Sequence, residues 1–247
     1  MQQGTSRRQF MKTAAAGTAM AGLSAASYAR VVGANERINL GLIGCGRRGI
    51  GVHMRTIAKH AKRENVTFIA VSDPWRQHRE QAVVRARKDF ATEAKGFVAH
   101  RELLQVKDLD AVMIASCDHQ HTTHLKDAAG AGMDVYVEKP RAMDLDRLKA
   151  AHDACKRKNT IVQIGTQQRS YPTNTGTRKM YRTGVLGTTS RIEQHRNTTK
   201  PYWYSHIDAK VKESDVDWKE FLMDVPMQPF DPVKFSAWYG YREFSDG

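Results

Sequence analysis

The stretch INLGLIGCGRRG, residues 38–49, joins an apolar run to a complete G-x-G-x-x-G motif. The run predicts a buried strand, and the residues that follow, to about His60, are compatible with a helix. In such a turn Gly44 permits the tight bend, Gly46 lets the backbone approach a pyrophosphate, and Gly49 lets helix and strand pack closely. The start of the helix offers unpaired N–H groups to the phosphates. Glycine-rich turns are common, so the motif needs support from its surroundings.

An acidic residue after the next apolar run gives that support. Residues 66–72 predict a second strand that ends at Asp73, close to the spacing of about 20 residues at which dinucleotide folds place an acid on the adenosine ribose. Alone, Asp73 is also compatible with a turn before Pro74. Strand, glycines and acid in this order predict dinucleotide binding. Asp73 repels a 2′-phosphate and favours NAD, whereas Arg76 could accept one, so NADP stays possible.

Strands and helices continue to alternate after Asp73, as a doubly wound α/β sheet requires. Three further strands are predicted over residues 110–115, 135–137 and 160–165, and two helices over residues 125–132 and between Asp144 and Asn159. Asp144 suits the N-cap of the second helix and Asn159 its end. The predicted fold is therefore a Rossmann-type, doubly wound parallel sheet.

Charged and polar residues follow two of these strands. Glu138, Lys139 and Pro140 come directly after residues 135–137, and residues 116–121 follow the strand before. Ligands of such sheets bind beyond the carboxyl ends of the strands, so these residues are expected near a bound cofactor and substrate. The alternative is an exposed Glu138–Lys139 ion pair, which contributes about 0–1 kcal/mol.

Taken together, these segments resemble the glucose–fructose oxidoreductase and inositol dehydrogenase family, often called Gfo/Idh/MocA. The resemblance extends from about Arg37 to the last residue. It rests on the glycine motif, on the segment from His121 to Pro140 with Glu138-Lys139-Pro140 in register, and on residues 162–170, which fit the entry into a second domain. The cofactor-binding residues that it implies are Gly44, Cys45, Gly46, Arg47, Arg48, Gly49, Asp73, Ser116, His121, Glu138 and Lys139. Gln168 and Arg169 are expected to contact substrate.

The resemblance also implies that Lys139 is catalytic, beside the nicotinamide and the reacting carbon of a sugar or polyol. A lysine there can hydrogen-bond the hydroxyl that becomes a carbonyl, and so stabilise negative charge as hydride leaves. Burial or a nearby cationic nicotinamide could lower the pKa of Lys139 and let it assist proton transfer. Glu138 would contact the cofactor or hold Lys139 in place.

The family's second domain is a large, open and mainly antiparallel sheet, of which the sequence predicts only the beginning. Residues 171–187 predict a helix and turn, and residues 190–198 one strand. We expect three parts: a signal and linker over residues 1–34, a Rossmann domain over 35–165 and a partial substrate and oligomerisation domain over 166–247. The family's catalytic His and nearby Asp are missing, which suggests truncation. Nothing in the setting of His195 or His206 supports either as a replacement base.

The N-terminus predicts an export signal. Arg7-Arg8 is followed by Phe10 and Lys12 and then by an uncharged stretch over residues 13–29 that is rich in Ala and Gly, which resembles a twin-arginine signal. Cleavage after Ala29 or Ala34 would suit the preference for small residues. The stretch is too short and too weakly apolar for a stable membrane anchor. The expected partner is the twin-arginine machinery, and the expected location is periplasmic or extracellular.

Composition excludes several other classes of protein. The formal net charge is +13, but the basic residues are spread along the chain without the zinc-ligand spacing or aromatic-interleaved stripe of nucleic-acid binders. The three cysteines lack paired spacing, so this is not a disulfide scaffold. His119, His121 and His124 lack the carboxylate or thiolate partners of a closed zinc site, and no metal is expected.

The sequence therefore predicts an exported NAD(P)-dependent oxidoreductase that moves hydride between a nicotinamide cofactor and a sugar or polyol, as a homo-oligomer when full length. Two alternatives stay open. One is an NAD-dependent glycoside hydrolase that oxidises a ring carbon transiently. The other is a non-catalytic nucleotide-binding remnant.

Overall fold

The computed structural model describes residues 37–195 and 197–246, so the predicted signal and linker lie outside the described residues. One sheet of six parallel strands runs in the order β3-β2-β1-β4-β5-β6. The strands are β1 (Ile38–Ile43), β2 (Val66–Ser72), β3 (Lys95–Phe97), β4 (Ala111–Ile114), β5 (Asp134–Glu138) and β6 (Val162–Gly165). The strand order reverses between β1 and β4, as in a Rossmann fold, so the predicted fold class is confirmed.

Both faces of the sheet are buried. On one face Leu42, Phe68 and Val71 pack with Ala82 and Ala86 of a long helix. On the other face Ile43, Val112 and Val137 pack with Leu125 and Ala151, which belong to two further helices. Because successive strand residues point to opposite faces, a two-sided core needs nearly continuous apolar strands, as found here.

The helices fall between the strands as predicted. A π-helical segment (Gly49–Met54) leads into α1 (Arg55–Ala58), followed by α2 (Arg76–Phe90), α3 (His100–Leu103), α4 (His121–Gly130), α5 (Leu145–Lys158) and α6 (Pro172–Arg182). Asp144 Oδ1 accepts a hydrogen bond from Arg147 N at 2.8 Å, and Asn159 ends α5 in the left-handed conformation with φ 52°. Both predicted caps of α5 are confirmed.

Residues 199–246, which we call the C-terminal segment, contain two short helices, α7 (Trp218–Leu222) and α8 (Pro232–Ser236), with several 3₁₀ turns. An aromatic cluster that includes Trp218, Phe221, Phe235 and Phe244 forms its core. The segment packs against the carboxyl edge of the sheet, where His119 N donates to Phe244 O at 3.2 Å and Asp217 N to Pro74 O at 3.0 Å.

The prediction of a strand over residues 190–198 is wrong. Residues 190–195, 197 and 198 are exposed and have no strand conformation. The physical reason is that no neighbouring strand pairs with this segment, because an isolated strand leaves its backbone N–H and C=O groups unpaired. Within the described residues the antiparallel pairing is one isolated bridge between Trp75 and Val216, so the open antiparallel sheet stays a prediction. None of the described helices has the length and apolar character needed to cross a bilayer.

Candidate active site

A cavity of about 600 Å³ lies at the carboxyl edge of the sheet, with walls from the ends of β1, β2, β4 and β5 and from the C-terminal segment. The sheet's switch point between β1 and β4 falls within it, where open α/β sheets bind ligands. Ten of the predicted site residues line it together: Gly44, Gly46, Arg47, Arg48, Asp73, Ser116, His121, Glu138, Lys139 and Gln168. Cys45 and Gly49 lie behind the lining, and Arg169 borders a neighbouring pocket instead.

The glycine loop is shaped so that two of its glycines admit no side chain. Gly44 has φ 89°, and a Cβ atom there would lie 2.4 Å from Ser116 N. A Cβ atom on Gly49 would lie 2.1 Å from Gly44 O. Around Gly46 the nearest atom to such a carbon is His78 Cε1 at 3.7 Å, so this position leaves space beside the backbone. A close backbone turn and a helix that starts within it form a cradle of the kind that holds a pyrophosphate.

Asp73 ties the second strand to the glycine loop. Its Oδ2 accepts a hydrogen bond from Cys45 N at 2.7 Å, and its Oδ1 accepts one from Trp75 N at 2.9 Å. The carboxylate is buried but lines the cavity. Arg76 points to the C-terminal segment, where Nη2 donates to Ser214 O at 3.2 Å, and it is not among the cavity residues. The residue that could accept a 2′-phosphate is thus engaged elsewhere.

Glu138 ends β5 and is 4% exposed. Its Oε1 accepts hydrogen bonds from Arg48 Nε at 2.7 Å and Gln167 Nε2 at 2.6 Å, while His53 Nε2 lies 2.9 Å away without the alignment of a hydrogen bond. Burial alone would raise the pKa of Glu138, but the contacts with His53 and Arg48 outweigh it and lower the pKa to about 2. Glu138 is therefore ionised, and it holds the side chain of Arg48, which belongs to the glycine loop.

Lys139 follows Glu138 and reaches the C-terminal segment. Its Nζ donates a hydrogen bond to the Tyr239 hydroxyl at 2.9 Å and lies 5.7 Å from the centre of that ring. Burial acts to lower the pKa of Lys139, but the hydrogen bond with Tyr239 and the charges of Asp118 and Glu138 raise it overall. This direction is opposite to the lowering considered from the sequence. Lys139 is a charged hydrogen-bond donor in this structure, and its bond to Pro140 is cis.

The end of β4 is held by buried polar contacts. The His121 ring lies between two backbone carbonyls, with Nδ1 2.6 Å from Pro140 O and Nε2 3.1 Å from Ser116 O. Asp118 Oδ2 accepts a hydrogen bond from Ser245 Oγ at 2.6 Å. Burial raises the pKa of Asp118 despite that hydrogen bond. His121 therefore joins the ends of β4 and β5 and fixes the backbone on either side of the cavity.

The two remaining histidines of this region are structural. His119 Nε2 lies 2.9 Å from Phe221 O, and burial lowers the pKa of His119 to about 4. His124 Nδ1 lies 2.9 Å from Ser116 Oγ, and burial lowers the pKa of His124 well below its usual value. Across residues 37–195 and 197–246 no group of three or more His, Cys, Asp or Glu side chains could hold a metal ion.

Sequence reasoning missed several residues that the structure brings to the cavity. Tyr202, Trp238 and Tyr239 add aromatic side chains from the C-terminal segment. His206 also lines the cavity, and its Nε2 accepts from Arg47 Nη1 at 2.8 Å. Burial, with a smaller effect from Arg47, lowers the pKa of His206.

His195, by contrast, is exposed beside Glu193, outside the cavity. Gln167 was within reach of sequence reasoning, since it precedes the predicted Gln168. The aromatic residues had no pattern that tied them to the distant glycine loop.

The arrangement fits a dinucleotide. The glycine cradle, Asp73, Arg48 and Lys139 line one cavity together with residues of the C-terminal segment. A dinucleotide needs a phosphate cradle, an acid near its ribose and space for a reactive ring, and the described residues offer all three.

Comparison with known proteins agrees with this reading. The model of an oxidoreductase family with an NAD-binding Rossmann fold, GFO_IDH_MocA, matches residues 38–166, which is over half of the chain. A model of the twin-arginine translocation signal matches residues 4–24. The chain is thus exported by the twin-arginine route to the periplasm or beyond.

Curated relatives include an inositol dehydrogenase and a glycoside hydrolase. The chain is 29% identical to the rhizopine catabolism protein MocA of Rhizobium meliloti over 61% of its own length and 44% of that protein. It is 27% identical to inositol 2-dehydrogenase 2 of Saccharopolyspora erythraea over 66% of this chain and 47% of that protein. It is 32% identical to glycosyl hydrolase family 109 protein 2 of Shewanella sp. (strain ANA-3) over 59% and 36%. The chain thus spans about half or less of these relatives.

Solved structures share the fold. The WlbA dehydrogenase of Bordetella pertussis, solved with NADH and UDP-GlcNAcA, is 25% identical with a TM-score of 0.55, over 62% of this chain and 43% of that one. The scyllo-inositol dehydrogenase of Lactobacillus casei, solved with NAD(H) and scyllo-inositol, has a TM-score of 0.53 at 24% identity. The match covers 62% of this chain and 43% of that one. With a Rossmann sheet, a glycine cradle and a matching family model, the chain belongs to the GFO_IDH_MocA family of oxidoreductases with an NAD-binding Rossmann domain.

Proposed function

We propose that the protein moves hydride between a nicotinamide cofactor, preferably NAD, and a carbon that bears a sugar or polyol hydroxyl. The observation that carries this proposal is the position of Lys139, a charged donor at the end of β5 that lines the same cavity as the glycine cradle. The preference for NAD is supported by Asp73 within the cavity and by Arg76 outside it. Assembly into homo-oligomers stays a prediction.

Some of these residues would bind the cofactor, and others would take part in the reaction. A bound nicotinamide ring would supply the hydride acceptor or donor. The glycine loop and Arg48 would hold the phosphates, and Asp73 the ribose. Lys139 would donate a hydrogen bond to the substrate oxygen and stabilise the negative charge that develops there as the C–H bond breaks. Gln168, which also lines the cavity, would contact the substrate, whereas Arg169 stands outside the cavity.

The proposed sugar or polyol substrate is supported by the relatives and by the residues that line the cavity. Relatives are named for inositol dehydrogenation, and one solved relative holds scyllo-inositol. The cavity combines donors and acceptors with the aromatic rings of Tyr202, Trp238 and Tyr239, and polyhydroxylated ligands need both kinds of contact.

The test uses the full gene product and the variant Lys139→Met. We expect NADH to bind both proteins with dissociation constants within about twofold, measured by fluorescence. Turnover of a panel of sugars and polyols should fall by roughly 100-fold or more in the variant, since an oxyanion-stabilising donor contributes on the order of 100- to 1000-fold. The control Lys149→Met changes an exposed lysine on α5 and should leave both NADH binding and turnover unchanged.

Weaker NADH binding with unchanged turnover per bound cofactor would contradict the role of Lys139. Tight NADH binding with no turnover of any substrate would favour the nucleotide-binding remnant instead.

A second candidate is glycoside cleavage with retained NAD, and the 32% identity to a family 109 glycosyl hydrolase favours it. In that reaction a ring carbon is oxidised transiently and reduced again, so no NADH accumulates. Release of the leaving group from a model glycoside without added cofactor, and without a rise in NADH absorbance, would distinguish it from dehydrogenation.

A further inference from the structure

We propose that His78 determines whether the cofactor site takes NAD or NADP, and that this choice depends on pH. While His78 is neutral, the carboxylate of Asp73 excludes a 2′-phosphate, whereas protonated His78 pairs with that phosphate beside Asp73. The inference rests on the proposed function and adds a specificity-determining residue to the site.

His78 lies at the corner between the glycine loop and the end of β2. Its Nδ1 lies 3.6 Å from Asp73 Oδ2, and a Cβ atom on Gly46 would lie 3.7 Å from its Cε1. The ring packs against that of Trp75 with 4.3 Å between centroids, and all four residues line the cavity. Because the backbone at such a glycine approaches the pyrophosphate and such an acid approaches the adenosine ribose, the imidazole is near the position expected for the ribose 2′-oxygen.

The carboxylate of Asp73 is held in place. Its Oδ2 accepts a hydrogen bond from Cys45 N at 2.7 Å, and its Oδ1 accepts one from Trp75 N at 2.9 Å. Asp73 is also buried, so its charge is poorly screened by water. A fixed carboxylate repels a phosphate that lies close to it. Admission of a 2′-phosphate therefore requires a cation beside Asp73.

The charged groups around His78 come from three elements. Asp73 faces it from the residue after β2, Arg47 belongs to the glycine loop, and Arg79 follows on α2. Arg47 Nη1 donates a hydrogen bond to His206 Nε2 at 2.8 Å, and Arg79 Nη1 donates one to the backbone oxygen of Asp73 at 2.7 Å. Both guanidinium groups are thus engaged by other partners.

The C-terminal segment approaches the same corner with an uncharged ring. Phe235 meets Trp75 edge to face, with 5.6 Å between centroids. Arg76 is directed to this segment, where its Nη2 lies 3.6 Å from Asp215 Oδ1. His78 is therefore the side chain beside Asp73 whose charge can change near neutral pH, because imidazole groups titrate between about pH 5 and 8.

The two protonation states of His78 offer different chemistry to the 2′ position. A neutral imidazole has one N–H donor and no charge, so the carboxylate of Asp73 dominates and a ribose hydroxyl is preferred. A protonated imidazole has two N–H donors and a positive charge, which attracts a phosphate and offsets Asp73. Binding of NADP relative to NAD should therefore improve as the pH falls.

The first measurement compares NADPH and NADH binding to the full gene product by fluorescence at pH 8, 7 and 6. The ratio of the NADPH to the NADH dissociation constant should fall by roughly tenfold between pH 8 and 6, since a hydrogen bond to a charged group contributes on the order of 10- to 100-fold. In His78→Gln the ratio should change by about twofold at most. The 2′-phosphate itself takes up a proton near pH 6, but both proteins share that effect.

His78→Arg provides a test by gain of binding. Arginine keeps its charge at every pH of the series, so the ratio at pH 8 should be roughly tenfold lower than in the unchanged protein and should vary little with pH. Tighter NADPH binding cannot result from a loss of folding. The control is His152→Gln, which changes an exposed histidine on α5 outside the cavity lining and should follow the unchanged protein at each pH.

The second measurement detects the proton on His78 without the nicotinamide. Adenosine 2′,5′-bisphosphate is titrated into the protein at pH 7.5 by calorimetry in buffers of different ionisation enthalpy. The unchanged protein should take up more protons per bound bisphosphate than His78→Gln, because the phosphate favours the protonated imidazole. With adenosine 5′-monophosphate, which lacks the 2′-phosphate, the two proteins should take up equal numbers of protons.

The same pH trend in His78→Gln as in the unchanged protein would overturn the inference, as would His78→Arg that binds NADPH no more tightly at pH 8. Equal weakening of NADH and NADPH in His78→Gln would assign His78 to support of the adenosine alone and would also overturn it. In these cases NADH still binds and the proposed function stands. An unchanged protein that binds neither cofactor at any pH of the series would overturn both.

Discussion

Glu138 explains why a buried strand ends in charged residues. The carboxylate is 4% exposed, and it gains Arg48 and Gln167 as hydrogen-bond donors and His53 as a close neighbour. A buried charge without partners would cost several kcal/mol, so these contacts are what allows it to stay ionised. The side chain of Arg48, a residue of the glycine loop, is thereby fixed. One acid thus orders the loop and places Lys139 next to it.

Because of this network, the free energy of unfolding should vary with pH in the acidic range. The pKa of Glu138 is lowered to about 2 in the folded protein, from 4.5 for an unperturbed carboxyl. Its contribution is therefore fully present above pH 4.5 and is lost as the pH falls toward 2. Glu138→Gln should lower the free energy of unfolding by about 2 kcal/mol at pH 7, the size of a hydrogen bond to a charged group. Urea unfolding at pH 7, 4.5 and 3 measures the difference, which should shrink with falling pH.

The matched control is Glu64→Gln, because Glu64 pairs with Arg63 at an exposed site. It should change the free energy of unfolding little at any of these pH values. A constant difference between the unchanged protein and Glu138→Gln across this range would contradict the assignment of the low pKa.

At the scale of elements, a buried histidine joins α7 of the C-terminal segment to the helices α3 and α4. His100 on α3 is 1% exposed, with Nδ1 3.1 Å from Glu220 on α7 and Nε2 2.9 Å from Asp127 on α4. Burial acts to lower the pKa of His100, but the two carboxylates outweigh it and raise the pKa. The neighbouring His124 behaves in the opposite way, because burial keeps it neutral.

The attachment of α7 should therefore weaken at alkaline pH. Because the folded pKa of His100 lies above the unfolded value of 6.5, its contribution is fully present below pH 6.5 and is lost as the pH rises through the folded pKa. His100→Gln should cost about 2 kcal/mol at pH 6 and progressively less toward pH 9. Chemical denaturation of both proteins across this range gives the difference, with exposed His60→Gln as the control. A difference that grows with pH would refute the charged state of His100.

Element prediction from sequence succeeded where local chemistry determines the structure. The caps Asp144 and Asn159 bound α5, and the apolar runs of β1 and β2 ended where strands end in the structure. It failed over residues 190–198, because a strand depends on a partner that no local pattern reveals. The helix α7 and its aromatic core went unassigned for a similar reason, since their burial arises from contacts with distant residues.

For the whole molecule, the sequence predicted only part of the cavity lining, mostly from the Rossmann sheet. That part followed from motifs whose spacing is set by one turn or one strand. A further part of the lining comes from the C-terminal segment, whose Tyr239 lies 100 positions after its partner Lys139. Tertiary contacts over such separations leave no periodicity in a single sequence, so Tyr239 and His206 could be recognised only in the fold.

Export can be tested on the intact molecule. The twin-arginine model matches residues 4–24, which include Arg7 and Arg8. We expect the double change Arg7→Lys and Arg8→Lys to leave the full gene product in the cytoplasm, because the machinery reads the arginine pair itself and lysine keeps only its charge. Cell fractionation and immunoblotting measure the distribution. Arg30→Lys, beyond the matched residues, is the control, and normal export of the double variant would contradict the assignment.

The distance along the chain between Lys139 and Tyr239 also has a consequence for synthesis. At about 5–20 residues per second, a residue 100 positions later leaves the ribosome about 5 to 20 seconds after its partner. During that interval the nascent chain already contains the glycine loop, Asp73 and Glu138, while the wall formed by the C-terminal segment is still being translated. A dinucleotide from the cytoplasmic pool therefore has an open approach to its cradle before the last wall is made, and before a folded protein is presented to the translocase.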